Sequence, residues 1–549
     1  MLIHASSDCH GYLAVVLHAH LPYIRYPENA RHLEERWLYE AMTETYIPLI
    51  AMLDDLLSDN IDFRITLSLT PTLTEMMQDP LLIGRYGRYL DDLIDLSEKE
   101  VFRNRRHAAF GPLAKMYRRR FIRIRRLFNE VYRKDLVSSF RSFMSTDKIE
   151  LITSAATHAF LPALIPTPVA ARAQIRLGAD NHRKIFGKKP GGFWLPECGF
   201  APELDEMLAE NGIRFFFLES HGLLNSTPPS LRNIYAPVKT PAGVVAFSRD
   251  AESSRQVWSS IGGYPGDFDY RDFYRDIGFD LGAEHLEPCL PAGIRTFTGL
   301  KYYRITGKSG GKKPYVPKHA MEKARIHVDH FVRAKSRQMI YLKEKIRIAP
   351  LVTAAYDAEL FGHWWFEGPE WLRLLLRKGL RGKKSFRLIT PSEYIAEHSE
   401  IQTVMPSSSS WGDKGYSSTW IHPSNNWIYK HLHKAARLMV EISLRNMRAR
   451  GMIKRALNQA LRELLLAQSS DWPFMMKTGN ASAFAENKFR EHLKNFLALY
   501  RQVCSGSIDR AALLQLERKN TIFKKIDFRI YADPGAGQST QELLKGIRF

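Results

Sequence analysis

Two acidic residues, Glu197 and Asp357, each follow a short apolar run and stand among aromatic side chains. Their segments are WLPECGF at 194–200 and TAAYDAELFGHWWFEG at 353–368. Cleavage of a glycosidic bond with retention needs such a pair, because one carboxylate attacks the anomeric carbon while a protonated partner donates to the leaving oxygen. Aromatic rings offer flat apolar faces to a sugar. The residues alone leave open that both are ordinary acids at strand ends.

An alternation of apolar strands and amphipathic helices fills the first two-thirds of the chain. GYLAVVLHAHL (11–21) and DFRITLSLT (62–70) predict buried strands, and residues 35–57 predict a helix between them. This βαβ pattern predicts a parallel sheet, closed or nearly closed as a barrel, over residues 1–400. The C-terminal ends of barrel strands carry the chemistry in this architecture. Four candidate residues fall at or just after such ends: His18, His158, Glu197 and Asp357.

The remaining segments differ in character from the barrel. Residues 220–310 are rich in Pro, Gly, Ser and Asp, which predicts long loops or an inserted subdomain. Helical patterns from residue 425 onward predict a C-terminal all-α domain over residues 401–530. Residues 531–549 are expected to form a loose tail.

Composition bounds the class of protein. With 549 residues, two or three domains are expected, and 45% hydrophobic with 25% charged residues is typical of a globular protein. No apolar run reaches the roughly 18 residues that a membrane helix needs, and no secretory leader is evident. The four cysteines lie far apart without a CxxC pair, which disfavours a zinc cluster and suits a reducing cytoplasm. Nothing in the sequence indicates an oligomeric state.

Several separated motifs resemble glycoside hydrolase family 57. They are LHAHLPY at 17–23, WLPECGF at 194–200, YDAELFGHWWFEGPEWL at 356–372 and DWPFMMKTG at 471–479. Within the family, the chain is most similar to the 1,4-α-glucan branching enzymes. The resemblance implies a distorted (β/α)7-type barrel with an all-α domain that completes the substrate groove. It also implies transfer of an α-1,4-linked glucan to form an α-1,6 branch, with no cofactor.

The resemblance assigns roles to the acidic pair and to the histidines. Glu197 matches the family's nucleophile and Asp357 its general acid/base, although Glu359 stands close enough to be confused with the latter. His18 and His20 lie two apart on a strand and therefore share a face. A metal pair is the alternative, but LHAHLPY offers no nearby Asp, so no metal is expected. We interpret both, with His158, as hydrogen-bonding partners of sugar hydroxyls.

The resemblance implies further substrate contacts near the second domain and in the segment 247–278. It makes Trp411 and Trp420 stacking platforms and places Asp471 in the groove. Arg249 and Trp258, in the segment most similar to branching enzymes, would line the groove as well. Tyr264, among Gly262, Gly263 and Gly266, would belong to a mobile loop that excludes water from the entrance. Core packing or a plain surface loop remains open for these residues.

The net charge of +21 is unusual for an enzyme acting on neutral glucan. Residues 103–126 hold ten Lys or Arg and no acid, which would suit nucleic acid or another anionic polymer. No nucleic-acid-binding motif accompanies them, so a solvated helical face is the favoured interpretation. The sequence therefore predicts a cytoplasmic branching enzyme. The alternatives are an α-amylase or 4-α-glucanotransferase of the same family and, more distantly, a polymer-binding protein on an inactive barrel.

Overall fold

The computed structural model describes residues 10–259, 261–307, 311–378 and 386–533. Its single mixed sheet runs in the order β6-β7-β5-β4-β3-β2-β1-β8, with β9 paired to β1. The strands are β1 (Tyr12–Ala19), β2 (Ile65–Leu69), β3 (Ile149–Ser154), β4 (Gly192–Trp194), β5 (Phe215–Leu218), β6 (Val238–Lys239), β7 (Val245–Ser248), β8 (Leu351–Asp357) and β9 (Arg387–Leu388). Strands β8, β1, β2, β3, β4, β5 and β7 are parallel neighbours.

A single bridge brings the two ends of this parallel run together. Arg249, directly after β7, bridges Thr353 of β8, and the Asp250 N–H donates to the Thr353 carbonyl at 2.9 Å. All eight residues of β1 are buried, as expected for a parallel strand covered on both faces. The predicted distorted (β/α)7-type barrel with a C-terminal helical domain is confirmed.

Helices cover the barrel and then form the second domain. Those before residue 400 are α1 (Arg36–Ala41), α2 (Ile47–Ser58), α3 (Pro71–Met76), α4 (Pro80–Arg103), α5 (Phe110–Arg126), α6 (Leu136–Phe143), α7 (Pro168–Phe186), α8 (Leu204–Glu210), α9 (Ser220–Leu224), α10 (Ala251–Trp258), α11 (Ile277–Asp280), α12 (Ala283–Leu286), α13 (Pro317–Ile346), α14 (Gly368–Lys378) and α15 (Pro391–Glu397). Those after it are α16 (Trp427–Arg445), α17 (Gly451–Ala467), α18 (Asp471–Thr478), α19 (Ser482–Ser505) and α20 (Arg510–Lys519). None of the described helices is long and apolar enough to cross a membrane.

The chain after residue 400 contacts the C-terminal ends of the barrel strands. Ser409 pairs with Phe200, and Ser469 pairs with Ala159, each by an antiparallel bridge. The Trp411 N–H also donates to the Glu197 carbonyl at 2.9 Å. These backbone links place groups from the last third of the chain against the loops that follow β3 and β4. The predicted tail falls largely on residues 534–549, which lie outside the described residues.

The basic stretch 103–126 forms the end of α4 and all of α5. Four of its arginines have acidic partners, mostly on α4: Arg103–Glu100, Arg118–Glu98, Arg125–Asp91 and Arg126–Glu130. The last three pairs are exposed on both sides, and such pairs contribute little stability, about 0–1 kcal/mol each, whereas Glu100 is buried. The interpretation of this stretch as a solvated helical face stays a prediction.

Candidate active site

Glu197 lies in a tight turn directly after β4. Its φ of 62° and the 48° of Cys198 place two consecutive non-glycine residues in the left-handed region, which costs of order 1–3 kcal/mol each. The carboxyl is held at both oxygens. The Ser470 hydroxyl donates to Oε1 at 2.8 Å and the Trp411 indole N–H donates to Oε2 at 2.6 Å. Both donors come from the chain after residue 400, so the turn is completed from outside the barrel.

Asp357 is the last residue of β8 and pairs in register with His18 of β1. It is only partly exposed, and no hydrogen bond from a described residue reaches its carboxyl. Glu359, two residues further on, is buried and accepts hydrogen bonds from the Tyr46 hydroxyl and from the His20 N–H. Asp357 therefore faces the site without a donor to stabilise its charge.

These environments order the pKa values of the two carboxyls. Burial raises the pKa of Glu197 to about 7, although the hydrogen bonds from Ser470 and Trp411 oppose that rise. Burial, together with the negative charges of Glu359 and Glu197, raises the pKa of Asp357 to about 8. The two donors to Glu197 favour its ionised form, whereas no described donor reaches Asp357, so the surroundings favour the proton on Asp357. An acid beside a nucleophile needs this arrangement.

The three histidines meet beside Glu197. His18 Nε2 and His158 Nε2 are 2.9 Å apart, and His158 Nδ1 lies 2.9 Å from the Ser470 hydroxyl. The rings of His20 and His158 stack with centroids 3.6 Å apart. His20 Nε2 contacts a carboxyl oxygen of Asp471 at 3.1 Å. Burial is the largest single influence on His20 and lowers its pKa, but the hydrogen bond to Asp471 and the negative charges of Asp471, Glu197 and Glu359 together raise that pKa above its usual value. Burial lowers the pKa values of His18 and His158.

One group of side chains has the composition of a metal site. Ligand atoms of His20, His158 and Asp471 all lie within 4.8 Å of one another. Asp471 comes from α18, so the local sequence around the histidines could not reveal this carboxylate. However, both ring nitrogens of His158 are hydrogen-bonded, to His18 and to Ser470. His158 could bind a metal only by giving up one of those bonds.

Arg249 lies beside Trp411, which donates to Glu197. Its guanidinium donates to Glu219 Oε2 at 2.6 Å and sits 4.9 Å from the centroid of the Trp411 ring. The same group lies 3.4 Å from the Ala355 carbonyl of β8. Arg249 thus connects Glu219, which follows β5, with β8, the strand that ends at Asp357.

The remaining residues predicted to contact substrate differ in how exposed their side chains are. Trp258 is 44% exposed and meets the edge of Trp364, which is 41% exposed, at 5.3 Å between centroids. Trp420 is buried and stacked on Phe160, so it offers no open face for a sugar. Tyr264 is also buried, with its hydroxyl 2.8 Å from His330 of α13. The expectations of a stacking platform at Trp420 and of a mobile cover at Tyr264 therefore disagree with this packing.

Four residues of the site were missed from the sequence: Ser470, Tyr46, Glu219 and Ser68. Ser470 immediately precedes the DWPFMMKTG motif, and this adjacency was the one available clue. The other three have no distinctive sequence context: Tyr46 ends a π-helical stretch, Glu219 follows β5, and Ser68 lies within β2. Only the fold brings them to the carboxyl pair and its histidines.

Comparisons with known proteins extend over the whole of this architecture. The family model for glycosyl hydrolase family 57 matches residues 14–406, and the model for the C-terminal region of 1,4-alpha-glucan branching enzymes matches residues 431–531. A 1,4-alpha-glucan branching enzyme of Thermococcus kodakarensis is 33% identical over 94% of this chain and 78% of its own length.

Solved structures are similar over the same extent. The alpha-amylase AmyC from Thermotoga maritima is 42% identical, with a TM-score of 0.89, and the match covers 95% of this chain and 99% of that one. A GH57-type branching enzyme from Pyrococcus horikoshii is 30% identical, with a TM-score of 0.85, covering 96% and 98%. The similarity therefore includes the barrel and the helical domain together.

Proposed function

We propose that this chain, which belongs to glycosyl hydrolase family 57, is a 1,4-α-glucan branching enzyme. One observation carries the proposal. The part of the chain that matches the C-terminal region of branching enzymes supplies Ser470 and Asp471 to the carboxyl pair and its histidines. The 33% identity with a named branching enzyme over 94% of the chain supports the same activity.

The reaction divides into two displacements at one carbon. In the first, Glu197 attacks the anomeric carbon of an α-1,4-linked glucan, and the bond to the leaving O4 breaks. The proton of Asp357 passes to that oxygen, and a glycosyl ester on Glu197 remains. In the second, the Asp357 carboxylate takes the proton of a C6 hydroxyl on an acceptor glucan. The acceptor oxygen then displaces Glu197, and the two inversions give an α-1,6 bond.

The proposed roles in glucan binding follow from which side chains near Glu197 are exposed to solvent. His20 and Asp471 are partly exposed beside Glu197, so we assign them to hydroxyls of the sugar undergoing transfer. Trp411 packs against Arg249 and donates to the Oε2 atom of Glu197, and we assign Trp411 a contact with the donor glucan. The exposed Trp258 and Trp364 form an aromatic corner that would suit an acceptor chain. The helical domain would then complete the groove.

We place this activity in the synthesis of a storage glucan such as glycogen, within the cytoplasm. The described cysteines Cys198, Cys289 and Cys504 are free thiols, which suits a reducing compartment.

An α-amylase is the second candidate. The 42% identity with the alpha-amylase AmyC is what favours it. Both activities would use Glu197 and Asp357 in the same first displacement. They differ in the second, where water rather than a C6 hydroxyl would attack the glycosyl ester. Exclusion of water from that ester therefore decides between them.

Incubation with amylose, followed by proton NMR of the products, separates the two candidates. A branching enzyme would generate α-1,6 anomeric signals at the expense of α-1,4 signals, and Glu197→Gln and Asp357→Asn would abolish the change. New reducing ends without α-1,6 signals would favour the amylase. Redistributed α-1,4 chains would favour a 4-α-glucanotransferase. Unchanged amylose would overturn all three.

A further inference from the structure

A continuous line of hydrogen bonds runs from the nucleophile back into the barrel. Glu197 Oε1 accepts from the Ser470 hydroxyl at 2.8 Å, and that oxygen lies 2.9 Å from His158 Nδ1. His158 Nε2 meets His18 Nε2 at 2.9 Å, and His18 Nδ1 meets the Ser68 hydroxyl at 3.0 Å. Each link is within the ordinary range for such bonds. All four partners behind Glu197 are buried.

We propose that Ser470, backed by His158, His18 and Ser68, forms a one-directional hydrogen-bond chain that holds Glu197 as the ionised nucleophile. Ser470 is then a positioning residue of the reaction. This inference rests on the proposed function, because it takes Glu197 to be the group that attacks the anomeric carbon.

The direction of the chain follows from the proton inventory of each group. Ionised Glu197 can only accept, so the Ser470 hydroxyl donates to it and must itself accept from His158 Nδ1–H. A neutral His158 then has a bare Nε2, which accepts from His18 Nε2–H. His18 in turn has a bare Nδ1 that accepts from the Ser68 hydroxyl. Burial lowers the pKa of both His18 and His158 well below the usual value, so both rings are neutral.

Protonation of Glu197 at Oε1 would reverse every link. Glu197 would donate to Ser470, each imidazole would exchange its tautomer, and Ser68 would become an acceptor. The charge of the nucleophile is therefore linked to the tautomers of two rings behind it. A single hydroxyl, that of Ser470, makes this connection.

Backbone contacts fix the hydroxyl in place. The Ser470 N–H donates to the His158 carbonyl at 3.0 Å, and the adjacent Ala159 and Ser469 form an antiparallel bridge. His158 itself has a φ of 57°, in the left-handed region. Such a conformation persists only where surrounding contacts hold it. The segment that carries Ser470 is thus attached to the same residue that its side chain contacts.

The hydrogen-bond chain from Ser470 to Ser68 changes the role expected of His18. Its side chain is 1% exposed, its ring stacks on Trp194 at 4.6 Å, and both of its nitrogens are used. It has no free nitrogen to offer a sugar hydroxyl. We therefore assign His18 to positioning, in contrast to His20, which is partly exposed beside Asp471.

Other charged or titratable groups also act on Glu197, and none of them may be altered in a test of Ser470. They are Asp471 on α18, Tyr429 on α16, Asp357 at the end of β8, and His20, His158 and Cys198 in the loops after β1, β3 and β4.

The test measures α-1,4 cleavage of amylose against pH in Ser470→Ala and Ser470→Thr. Ser470→Ala removes a donor to the charged form of Glu197, so the acid limb of kcat/KM should move to higher pH. We expect kcat to fall about 10- to 100-fold, as for loss of a hydrogen bond to a charged group. Ser470→Thr keeps the hydroxyl and should restore the limb. Ser68→Ala, at the far end, should produce a smaller shift in the same direction.

Ser443→Ala is the matched control, because it removes a buried hydroxyl of the helical domain that donates to the Phe528 carbonyl. It should leave the acid limb in place. Two results would contradict the proposed hydrogen-bond chain and leave Ser470 with a structural role only. One is a lower kcat in Ser470→Ala with an unmoved acid limb, and the other is a Ser470→Thr variant that behaves like Ser470→Ala.

A second readout needs no substrate. The difference in unfolding free energy between the protein and its Glu197→Gln variant, followed against pH, reports the ionisation of Glu197. Its inflection should move to higher pH when Ser470→Ala is added to both. If the inflection moves but the wild type forms no α-1,6 bonds, the proposed function is wrong and the hydrogen-bond chain is supported. If branching is observed and the inflection does not move, the hydrogen-bond chain is wrong and the proposed function is supported.

Discussion

The two carboxyls of the site are held in opposite ways. Both oxygens of Glu197 accept a hydrogen bond, one from Ser470 and one from Trp411. The carboxyl of Asp357 receives none from the described residues and has Glu359 as a charged neighbour. Donors favour the ionised form of an acid, and like charge disfavours it. This difference supports the proposal that Glu197 attacks and that Asp357 delivers a proton.

The two sides also differ in where their environments come from. Trp411 and Ser470 lie 214 and 273 residues beyond Glu197 in the chain. Glu359, by contrast, belongs to the same motif as Asp357. The surroundings of Glu197, the proposed nucleophile, therefore come from the chain after residue 400, whereas those of Asp357, the proposed acid, come largely from its own strand end. Four substitutions would break or sharpen this contrast.

The largest effect is expected for Glu197→Gln. The amide keeps the size of the side chain but cannot form the glycosyl ester, so cleavage of amylose should fall by roughly 10⁴-fold or more. α-Maltosyl fluoride, whose leaving group needs no proton, should be lost as a substrate too. Glu203→Gln, on the exposed surface six residues later, is the control and should retain activity. Retained fluoride release in Glu197→Gln would remove Glu197 from the role of nucleophile.

Asp357→Ala should lower the rate on amylose much more than the rate on α-maltosyl fluoride. Amylose cleavage is expected to fall roughly 10²- to 10⁴-fold, the usual contribution of general acid catalysis. Fluoride release from α-maltosyl fluoride should fall much less, since that step needs no acid. Azide, which needs no general base, should then accelerate turnover and give the α-glycosyl azide. Equal losses on both substrates would contradict an acid/base role for Asp357.

A smaller effect, on pH dependence, is expected for Glu359→Gln. The negative charge of Glu359 helps raise the pKa of Asp357 to about 8, and activity requires Asp357 protonated. Activity is therefore lost as pH rises through that value, and removal of the charge should move the alkaline limb of kcat/KM to lower pH. Glu367→Gln removes another buried carboxyl, one that accepts from the Arg271 N–H, and should leave the limb alone. An unmoved limb in Glu359→Gln would show that Glu359 does not act on Asp357.

The smallest effect concerns stability. The folded-state pKa of Asp357 is about 8, well above the roughly 3.9 of an unfolded chain. The folded state thus binds a proton that the unfolded state releases, and stability from this group is lost as pH rises from about 4 to about 8. Asp357→Asn should therefore raise the free energy of unfolding at pH 8 by on the order of 1 kcal/mol, and the thermal midpoint with it, and should change both little at pH 4.

Calorimetry at the two pH values provides the measurement. Asp147→Asn, at an exposed position, controls for removal of an ordinary aspartate. An Asp357→Asn variant no more stable than the wild type at pH 8 would argue that Asp357 is ionised there without cost.

The barrel was predictable because its strands are buried on both faces and appear as continuous apolar runs. β1 and β2 fall within the predicted segments. The predicted helix at 35–57 covers α1 and all of α2 except its last residue, Ser58. A five-residue π-helical stretch, Met42–Tyr46, separates the two and carries Tyr46, which contacts Glu359. No simple helical pattern identifies such a local change in winding.

The partners of the two carboxyls were predictable only in part. Glu359 was visible because it shares a motif with Asp357. Ser470 was not, because its function depends on a backbone bridge between residues 159 and 469. Trp420 and Trp411 have similar sequence surroundings, yet one packs on Phe160 and the other donates to Glu197. Composition cannot distinguish a packed indole from an indole that faces the site.

The most direct test of the account is to trap the covalent intermediate and locate it. Asp357→Asn would be mixed with α-maltosyl fluoride, quenched in acid, digested and analysed by mass spectrometry. Because the second displacement lacks its base, a maltosyl ester should accumulate, and fragmentation should place it on Glu197. A label on Glu359, or no label while fluoride is still released, would contradict the assignment of Glu197 as the nucleophile.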